Sequence, residues 1–342
     1  MPRTVPQMIS ALALLAGVVL FAATLLTVDR AQTLREARQL GFLLPIVMLP
    51  SFGWHLLRAA GWCVCFPTEQ RPTFWRVFRV RLAADGVAYF TIRGVASEPL
   101  RVVLLLGHVP ATVSAAASVL ERTAMGIMSV VGVGVFAAFA MSSDSLPAAW
   151  QRGFRTLAIV AVVVLALSLL FLLRSGRYFG PLVEKIHQRT GWRWAGGRAA
   201  RFATAVEDLF LKLARTEPRR IWTLVMLSAL CYGLMALEVC AVFWAIGQPI
   251  SLWTGTIVET FTRSASVVGG AIPGSLGALE ASNMAVAKAL GLVGGGSLAL
   301  ARRVRSLLWA TLGLAFYPRD TMGPVVRRDG ETAASPSPAP TR

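Results

Sequence analysis

Two uninterrupted apolar stretches limit what this chain can fold into more than any other feature of the sequence. Residues 8–28 (MISALALLAGVVLFAATLLTV) and 156–173 (TLAIVAVVVLALSLLFLL) contain no charged side chain. About 20 such residues are enough for an α-helix to cross the hydrocarbon core of a bilayer. The composition agrees, because 55% of the 342 residues are hydrophobic and only 15% are charged. We therefore expect an all-α polytopic membrane protein.

The stretch 8–28 is longer than the apolar core of a secretory signal peptide, about 7 to 15 residues, and no clear cleavage site follows it, which favours a retained helix. Four further apolar stretches contain a few ionisable residues: 42–64, 113–141, 221–246 and 296–316. Arginines near helix ends can reach the headgroups. Glu238, by contrast, lies well inside its span, where an ionisable side chain usually faces a bundle interior. In total we predict about six transmembrane helices.

The distribution of basic residues predicts the orientation in the membrane. Residues 174–220 contain eleven Arg or Lys and four acidic residues, whereas the links 29–41 and 142–155 contain three against two and two against one. Basic loops stay in the cytoplasm, so we expect 174–220 to be a cytoplasmic amphipathic stretch and both termini to be cytoplasmic. The arginines that mark a second cytoplasmic stretch are Arg71, Arg76, Arg79 and Arg81. The Pro- and Ser-rich segment 318–342 is predicted to be a disordered cytoplasmic tail.

The net charge of +17 comes almost entirely from arginine, which supplies 31 of the 34 basic residues. Arginine suits bidentate phosphate binding, but polybasic cytoplasmic segments and an Arg-rich genome explain most of these residues without a ligand. Nucleic acid is not an expected partner, because no stacking platform or binding motif accompanies the arginines. The four cysteines and three histidines are too scattered for a disulfide framework or a metal site. We therefore expect no metal and no cofactor.

Two apolar segments, 83–108 and 253–292, are interrupted by Gly, Pro and charged residues and do not make good spans. The first follows an inward-running helix and precedes an outward-running one, and the second has the opposite arrangement. This pattern is typical of transporters built as inverted repeats, in which broken helices meet near the bilayer midplane. We predict a single transmembrane domain, residues 1–317, with two re-entrant broken-helix hairpins and repeat units at about 42–141 and 221–316.

The second broken segment contains GGAIPGSLGALEASN at residues 269–283. Pro273 lacks a backbone N–H, and Gly274 and Gly277 permit tight turns, which predicts a helix break followed by a new helix from about Gly274. The N-terminus of that helix directs a partial positive charge into the cavity. Two interpretations fit the glycines, a binding cavity and tight helix packing. The carboxylate of Glu280 adds nothing to packing and is costly in lipid, which favours a functional role for it.

The segments IVETFTRSASVVGGAIPGSLGALEASNMAVAKALGL and LALARRVRSLLWATLGL resemble the C-terminal signature of the lysylphosphatidylglycerol synthase transmembrane-region family. These are flippase-like membrane proteins, and the resemblance is closest to the branch found with hopanoid biosynthesis. The family has a Pro-Gly-x-Leu-Gly-x-x-Glu core and an Arg-rich helix start. The matching residues are Pro273, Gly274, Leu276, Gly277 and Glu280, then Arg302, Arg303 and Arg305.

The first half of the chain carries a second resemblance to this family, in SEPLRVVLLLGHVPATVSAAASVLERTAMGI. Glu98 and Arg101 match the family's Gly-Glu-x-x-Arg element, and Glu121 and Arg122 match the acidic residue and Arg that follow it. Ser97 stands where the family has Gly, and AYFTIRGVAS replaces a segment that carries Asn and Pro ahead of a Gly-Gly pair. The first hairpin is therefore less sharply broken, or its ligand contacts differ.

The resemblance implies a multi-pass protein of the bacterial inner membrane that moves a lipid with a polar head, anionic or isoprenoid-type, between leaflets. It implies no aminoacylation, since we expect no synthetase domain. We expect no enzyme, because the sequence has no Asp pair, His cluster or Gly-rich nucleotide loop. The expected partners are membrane lipids. Two alternatives remain: a non-transporting membrane partner of a lipid- or glycan-modifying enzyme, and a membrane enzyme acting on a lipid-linked substrate.

The predicted substrate-binding residues combine arginines that pair with a polar head and carboxylates that compensate those arginines. Glu259 and Arg263 are spaced i, i+4, so a mutual ion pair explains them as well as a ligand role does. The predicted residues are Glu98, Arg101, Glu121, Arg122, Glu238, Glu259, Arg263, Pro273, Gly274, Gly277, Glu280 and Arg303.

Overall fold

The computed structural model describes residues 30–89, 97–141, 148–173, 178–191, 197–268 and 277–317, and their regular structure is helical. The predicted span 8–28, the tail 318–342 and the centres of both broken segments lie outside these residues. The helices are α1 (Arg30–Val64), α2 (Phe74–Tyr89), α3 (Ser97–Leu105), α4 (Ala111–Met141), α5 (Ala148–Leu173), α6 (Phe179–Thr190), α7 (Gly197–Thr216), α8 (Pro218–Ala245), α9 (Leu252–Val268), α10 (Ala278–Ala289) and α11 (Gly295–Ala315), with a 3₁₀ turn at Thr68–Gln70 between α1 and α2.

Within the residues that the structure describes, three helical segments are long and apolar enough to cross a membrane. They are Leu40–Val64 in α1, Ala111–Ala138 in α4 and Pro218–Ala245 in α8. Each coincides with a predicted span, because a long apolar run can satisfy its backbone hydrogen bonds in lipid only as a helix or a closed barrel. The prediction of an all-α polytopic membrane protein is confirmed.

Two further predicted spans are helical but less apolar or shorter. The stretch 296–316 forms α11, which carries three arginines at 302, 303 and 305. The stretch 156–173 lies within α5, whose apolar part is Arg155–Ser168. From Leu157 to Leu170, α5 exposes many large apolar side chains, as expected for contact with lipid tails. They are Leu157, Ile159, Val160, Val162, Val163, Val164, Leu167 and Leu170.

The helices form two units with matching neighbours, α1–α4 and α8–α11. Helix α1 packs against α8, and the contacts of one unit have counterparts in the other: α2 packs on α11 as α9 packs on α4, and α1 packs on α11 as α8 packs on α4. Each unit also has the same order of elements, with a short helix, α3 or α10, before its last long helix. The helix pairings between the two units are therefore symmetric.

The pairing of α1 with α8 joins two apolar cores. One core includes Trp62 of α1 and Leu224 of α8, and the other includes Val47 of α1 and Val242 of α8. Helices α6 and α7 connect the units in sequence, pack on each other, and contact the bundle through α7, which touches α4 and α8. The interior between α1 and α8 is therefore lined mainly by apolar side chains.

Helices α2 and α11 approach each other so closely that their backbones touch. A Cβ atom added to Gly86 on α2 lies 2.8 Å from the carbonyl oxygen of Ala310, and one added to Gly313 on α11 overlaps the carbonyl oxygen of Leu82. Small residues at such crossings let membrane helices pack backbone to backbone. The crossing fixes the position of α2 relative to α11 and hence of one unit relative to the other.

We expect Gly313→Ala to lower the free energy of unfolding by about 1 to 3 kcal/mol, because the added methyl group forces the two backbones apart. Thermal unfolding in detergent measures the effect. Gly233→Ala on α8 is the matched control, since no atom beyond its chain neighbours and the nearby backbone of its own helix lies within 4 Å of the position of its Cβ. Equal unfolding temperatures for the two variants contradict the close crossing.

Candidate functional site

Seven charged side chains of the first unit form a connected network, which we call the first-half cluster. Arginines and carboxylates alternate through it, so that each carboxylate contacts at least two guanidinium groups. The members are Arg58 on α1, Arg81 and Asp85 on α2, Glu98 and Arg101 on α3, and Glu121 and Arg122 on α4.

Glu121 lies at the buried centre of this cluster. Its Oε1 atom accepts hydrogen bonds from Nε of Arg58 and Nη1 of Arg81, both at 3.2 Å, and Nη1 of Arg101 lies 3.9 Å from Oε2. The side chains of Glu121, Arg81 and Arg101 are each no more than 2% exposed. A charge removed from water to this extent requires a close partner. Burying an unpaired charge costs on the order of several kcal/mol.

Asp85, Glu98 and Arg122 form the more accessible edge of the cluster, with side chains 27%, 29% and 42% exposed. Nη2 of Arg101 donates to Oδ1 of Asp85 at 2.8 Å, and Nε of Arg122 donates to Oε1 of Glu98 at 2.6 Å. Arg101 therefore connects the buried centre to an edge that is reached from outside.

The second unit contains a matching set of charges, which we call the second-half cluster. It consists of three groups of ion pairs, each of which also contacts neutral polar or aromatic side chains. The members are Glu238 on α8, Glu259 and Arg263 on α9, Glu280 on α10, and Arg302, Arg303 and Arg305 on α11.

Glu280 fixes the start of α10. Its Oε2 atom accepts a hydrogen bond at 2.8 Å from the backbone N–H of Gly277, which has φ of +75°, a conformation that glycine adopts readily. Its Oε1 atom pairs with Arg303, whose Nη1 donates to the hydroxyl oxygen of Tyr89 at 3.0 Å. Because Tyr89 ends α2, this chain of contacts joins the two units.

Glu259 pairs mainly with a residue far along the chain. Nη2 of Arg302 lies 2.6 Å from its Oε2, whereas Nε of Arg263, one helical turn away, lies 3.6 Å from its Oε1. Arg302 also donates through Nη1 to Oδ1 of Asn283 at 3.1 Å. The guanidinium of Arg263 lies over the ring of Tyr232, 5.4 Å from its centroid. The i, i+4 spacing thus identifies only the weaker of the two partners of Glu259.

Glu238 connects α8 to α11 and α1. Its Oε1 atom accepts a hydrogen bond from Nη1 of Arg305 at 2.5 Å, and Nε1 of Trp54 donates to Oε2 at 3.4 Å. The guanidinium of Arg305 also lies 5.7 Å from the centre of the Trp54 ring. In the first unit the corresponding helices are α1 and α4, which Arg58 and Glu121 join. The link is the same, but here the first helix carries the arginine and the last helix carries the carboxylate.

Each cluster contains four arginines and three carboxylates, which leaves one excess positive charge in each when every group is ionised. Three members of each set also recur at a nearly constant spacing along the chain. The recurring pairs, 182, 182 and 181 positions apart, are Arg81 with Arg263, Glu98 with Glu280, and Arg122 with Arg303. The bundle interior therefore suits an anionic group and offers it two related surroundings.

The structure brings most of the predicted residues together. Pro273 and Gly274 lie outside the described residues, and Gly277 stands immediately before α10. The others are members of the two clusters: Glu98, Arg101, Glu121 and Arg122 in the first, and Glu238, Glu259, Arg263, Glu280 and Arg303 in the second.

Several members of the clusters were not predicted as site residues. The sequence analysis used Arg81 only as a marker of a cytoplasmic stretch, and the structure shows its side chain buried against Glu121. Arg81 and Asp85 are spaced i, i+4 beside a broken segment, which was the available signal. Arg58 had a signal as well, as an arginine within an apolar span. The repeat of 181 to 182 positions also points to Arg81 once Arg263 is chosen.

No group of three or more His, Cys, Asp or Glu side chains is placed to hold a metal ion within the part of the chain that the structure describes.

A protein-family model described as "Lysylphosphatidylglycerol synthase TM region" matches residues 8–315. The match includes all members of both clusters. A comparison with curated proteins and a comparison with solved structures gave no match.

Proposed function

The chain belongs to the lysylphosphatidylglycerol synthase TM region family, and from this membership and the two clusters we propose that it moves an anionic lipid between the leaflets of a membrane. The family match supports a membrane protein of lipid biosynthesis or transport. The observation that carries the finer proposal is the pair of arginine-rich clusters enclosed by apolar helices, each with one more arginine than carboxylates.

The arginines of each cluster can be balanced in two ways. They pair either with the carboxylates of the protein or with the anionic head of a lipid. Without a lipid head, Asp85 and Glu98 compensate Arg101, and Glu280 compensates Arg303. A phosphate group can take the place of a carboxylate at an arginine, because both accept two parallel hydrogen bonds from a guanidinium. The head is thereby exchanged between arginines without passing through bare hydrocarbon, while the tails remain in lipid.

The matching contacts of the two units support alternating access as the means of transfer. Inverted-repeat transporters expose a site near the midplane to one side and then to the other by moving one repeat against the other. Here the units meet along α1 and α8 and at the crossings of α2 with α11 and α4 with α9. We place the protein in the bacterial inner membrane with both termini and the basic helices α6 and α7 on the cytoplasmic side, and two re-entrant hairpins at the broken segments.

Two other functions use the same fold differently. A scaffold that holds a lipid- or glycan-modifying enzyme uses the ion pairs only to fix its helices, and an enzyme acting on a lipid-linked substrate uses them to hold that substrate. The arrangement of the clusters favours transport over both, because it repeats an exchangeable anion environment in each unit.

Reconstitution of the purified protein alone into vesicles separates these functions. The assay follows a fluorescent phosphatidylglycerol from the inner to the outer leaflet by its accessibility to a membrane-impermeant quencher. A transporter accelerates the exchange over protein-free vesicles, whereas a scaffold leaves it unchanged. Mass spectrometry of the recovered lipid detects the altered product that an enzyme leaves.

A further inference from the structure

Buried polar atoms that lack a hydrogen-bond partner are concentrated in the first unit. Buried donors and acceptors in proteins are nearly always satisfied, so a group of exceptions needs a physical reason. Among the described residues, the second unit contributes only Nε of Arg302. The first unit contributes atoms of Trp62, Arg81, Arg101, Ser114, Ser118 and Glu121.

The nitrogen atoms in this group belong to the buried centre of the first-half cluster and to the aromatic ring beside it. Nε and Nη2 of Arg81 and Nε of Arg101 make no hydrogen bond, although both side chains are almost fully buried. The guanidinium of Arg101 lies 5.4 Å from the centre of the Trp62 ring, whose own Nε1 is unpartnered. Several N–H donors on α1, α2 and α3 therefore lie in one region of the structure.

The hydroxyl groups lie on the face of α4 that carries Glu121. Ser114, Ser118 and Glu121 are spaced four and three positions apart, so they follow one another along one side of the helix. A buried serine in a helix usually donates to the carbonyl four residues before it, but the hydroxyls of Ser114 and Ser118 have no partner. These two groups extend the polar region along α4.

We propose that these groups form a subsite for an oxyanion, the phosphate of a lipid head, held by Arg81 and Arg101 and completed by Ser118. The inference rests on the proposed transport function and assigns the head to the first unit. Two guanidinium groups on different helices surround a phosphate from two sides, and its several acceptor oxygens leave room for a hydroxyl donor. Asp85 and Glu98, at the accessible edge, hold Arg101 until the phosphate replaces them.

Binding is measured on the full-length protein in detergent, apart from any transport. A ligand that binds the folded state raises the unfolding temperature in a concentration-dependent manner. The probes are short-chain phosphatidylglycerol, short-chain phosphatidylcholine and inorganic phosphate. We expect phosphatidylglycerol to stabilise the protein at lower concentration than phosphatidylcholine. Competition by inorganic phosphate identifies a site open to free phosphate, and its absence shows that the lipid is the source of the oxyanion.

Two variants test the residues. Arg81→Lys keeps the charge but removes the planar guanidinium that can donate two parallel hydrogen bonds. We expect the concentration of phosphatidylglycerol for half-maximal stabilisation to rise about tenfold, which is equivalent to the loss of one charge-assisted hydrogen bond. Arg79→Lys on the exposed side of α2 is the matched control and retains wild-type binding. Ser118→Ala is the second variant, for the case in which Arg81→Lys fails to fold. The hydroxyl of Ser118 makes no hydrogen bond in the structure, so we expect its removal to leave folding intact.

Ser118→Ala is expected to unfold like the wild type without lipid and to bind phosphatidylglycerol several-fold more weakly, whereas Ser168→Ala on the lipid-facing helix α5 changes neither. The subsite is overturned if phosphatidylglycerol gives no stabilisation, or if Arg81→Lys and Ser118→Ala both bind it as the wild type does. Binding without leaflet exchange in vesicles keeps the subsite and contradicts transport, so the two proposals fail separately.

Discussion

Glu238→Arg, which reverses the charge of one partner in the ion pair between α8 and α11, is expected to cost at least about 3 to 5 kcal/mol of folding free energy. This is the cost of leaving a buried charge without its partner. Glu238 is 2% exposed, and its pair with Arg305 at 2.5 Å is turned into a repulsion between two arginines. Because natural proteins are stable by roughly 5 to 15 kcal/mol, this is a large share of the total. The measurement is the unfolding temperature and the monodisperse fraction in detergent.

The charge-exchanged double variant, Glu238→Arg with Arg305→Glu, recovers most of that loss, because it rebuilds the pair in the arrangement that Arg58 and Glu121 already have between α1 and α4. Glu217→Arg is the matched control. Glu217 pairs with Arg220 at the same 2.5 Å but is 38% exposed, so its loss is worth at most about 1 kcal/mol. A double variant that is no more stable than Glu238→Arg contradicts the ion pair.

Glu280→Gln is expected to reduce leaflet exchange at least tenfold while the protein still folds. Glutamine retains one oxygen to accept the N–H of Gly277, and Arg303 retains Tyr89 as a hydrogen-bond partner. The loss of stability is therefore about 1 to 3 kcal/mol, the cost of one imperfectly satisfied buried group. The missing carboxylate leaves the second-half cluster with two excess positive charges, which hold an anionic head too tightly to release it.

Two measurements on Glu280→Gln, thermal unfolding in detergent and leaflet exchange in vesicles, decide its role. The matched control is Glu69→Gln in the exposed 3₁₀ turn, which changes neither. A variant that no longer folds gives Glu280 a packing role alone, because the carboxylate is then needed to start α10. A variant with normal stability and normal exchange removes Glu280 from the mechanism.

The sequence predicted the membrane helices better than their ends. A long apolar run can satisfy its backbone in lipid only as a helix or a closed barrel, which is why 42–64 and 113–141 correspond to α1 and α4. Helix α1 nevertheless already includes Arg30, well before the apolar run, because a helix continues through polar residues once it has formed. The stretch 296–316 was also predicted as a span, although Arg302, Arg303 and Arg305 lower the apolar character of α11.

The charges of the candidate site were predictable in kind but not in partnership. A carboxylate at membrane depth is costly, which identified Glu238 inside its span and Glu280 inside its broken segment from the sequence. Their partners depend on how the helices pack: Glu259 lies closer to Arg302, 43 positions away, than to Arg263 on its own helix. Arg81 was not predicted as a site residue, because local sequence does not show which face of α2 is turned towards Glu121.

The most direct test of the account compares the exchange of two fluorescent lipids in the same vesicles, one with a phosphatidylglycerol head and one with a phosphatidylcholine head. The two clusters together leave two excess positive charges in the bundle, which favours an anionic head over a zwitterionic one. We predict that the protein accelerates exchange of phosphatidylglycerol at least tenfold more than exchange of phosphatidylcholine. Equal acceleration of both lipids, or exchange of neither above protein-free vesicles, contradicts the account.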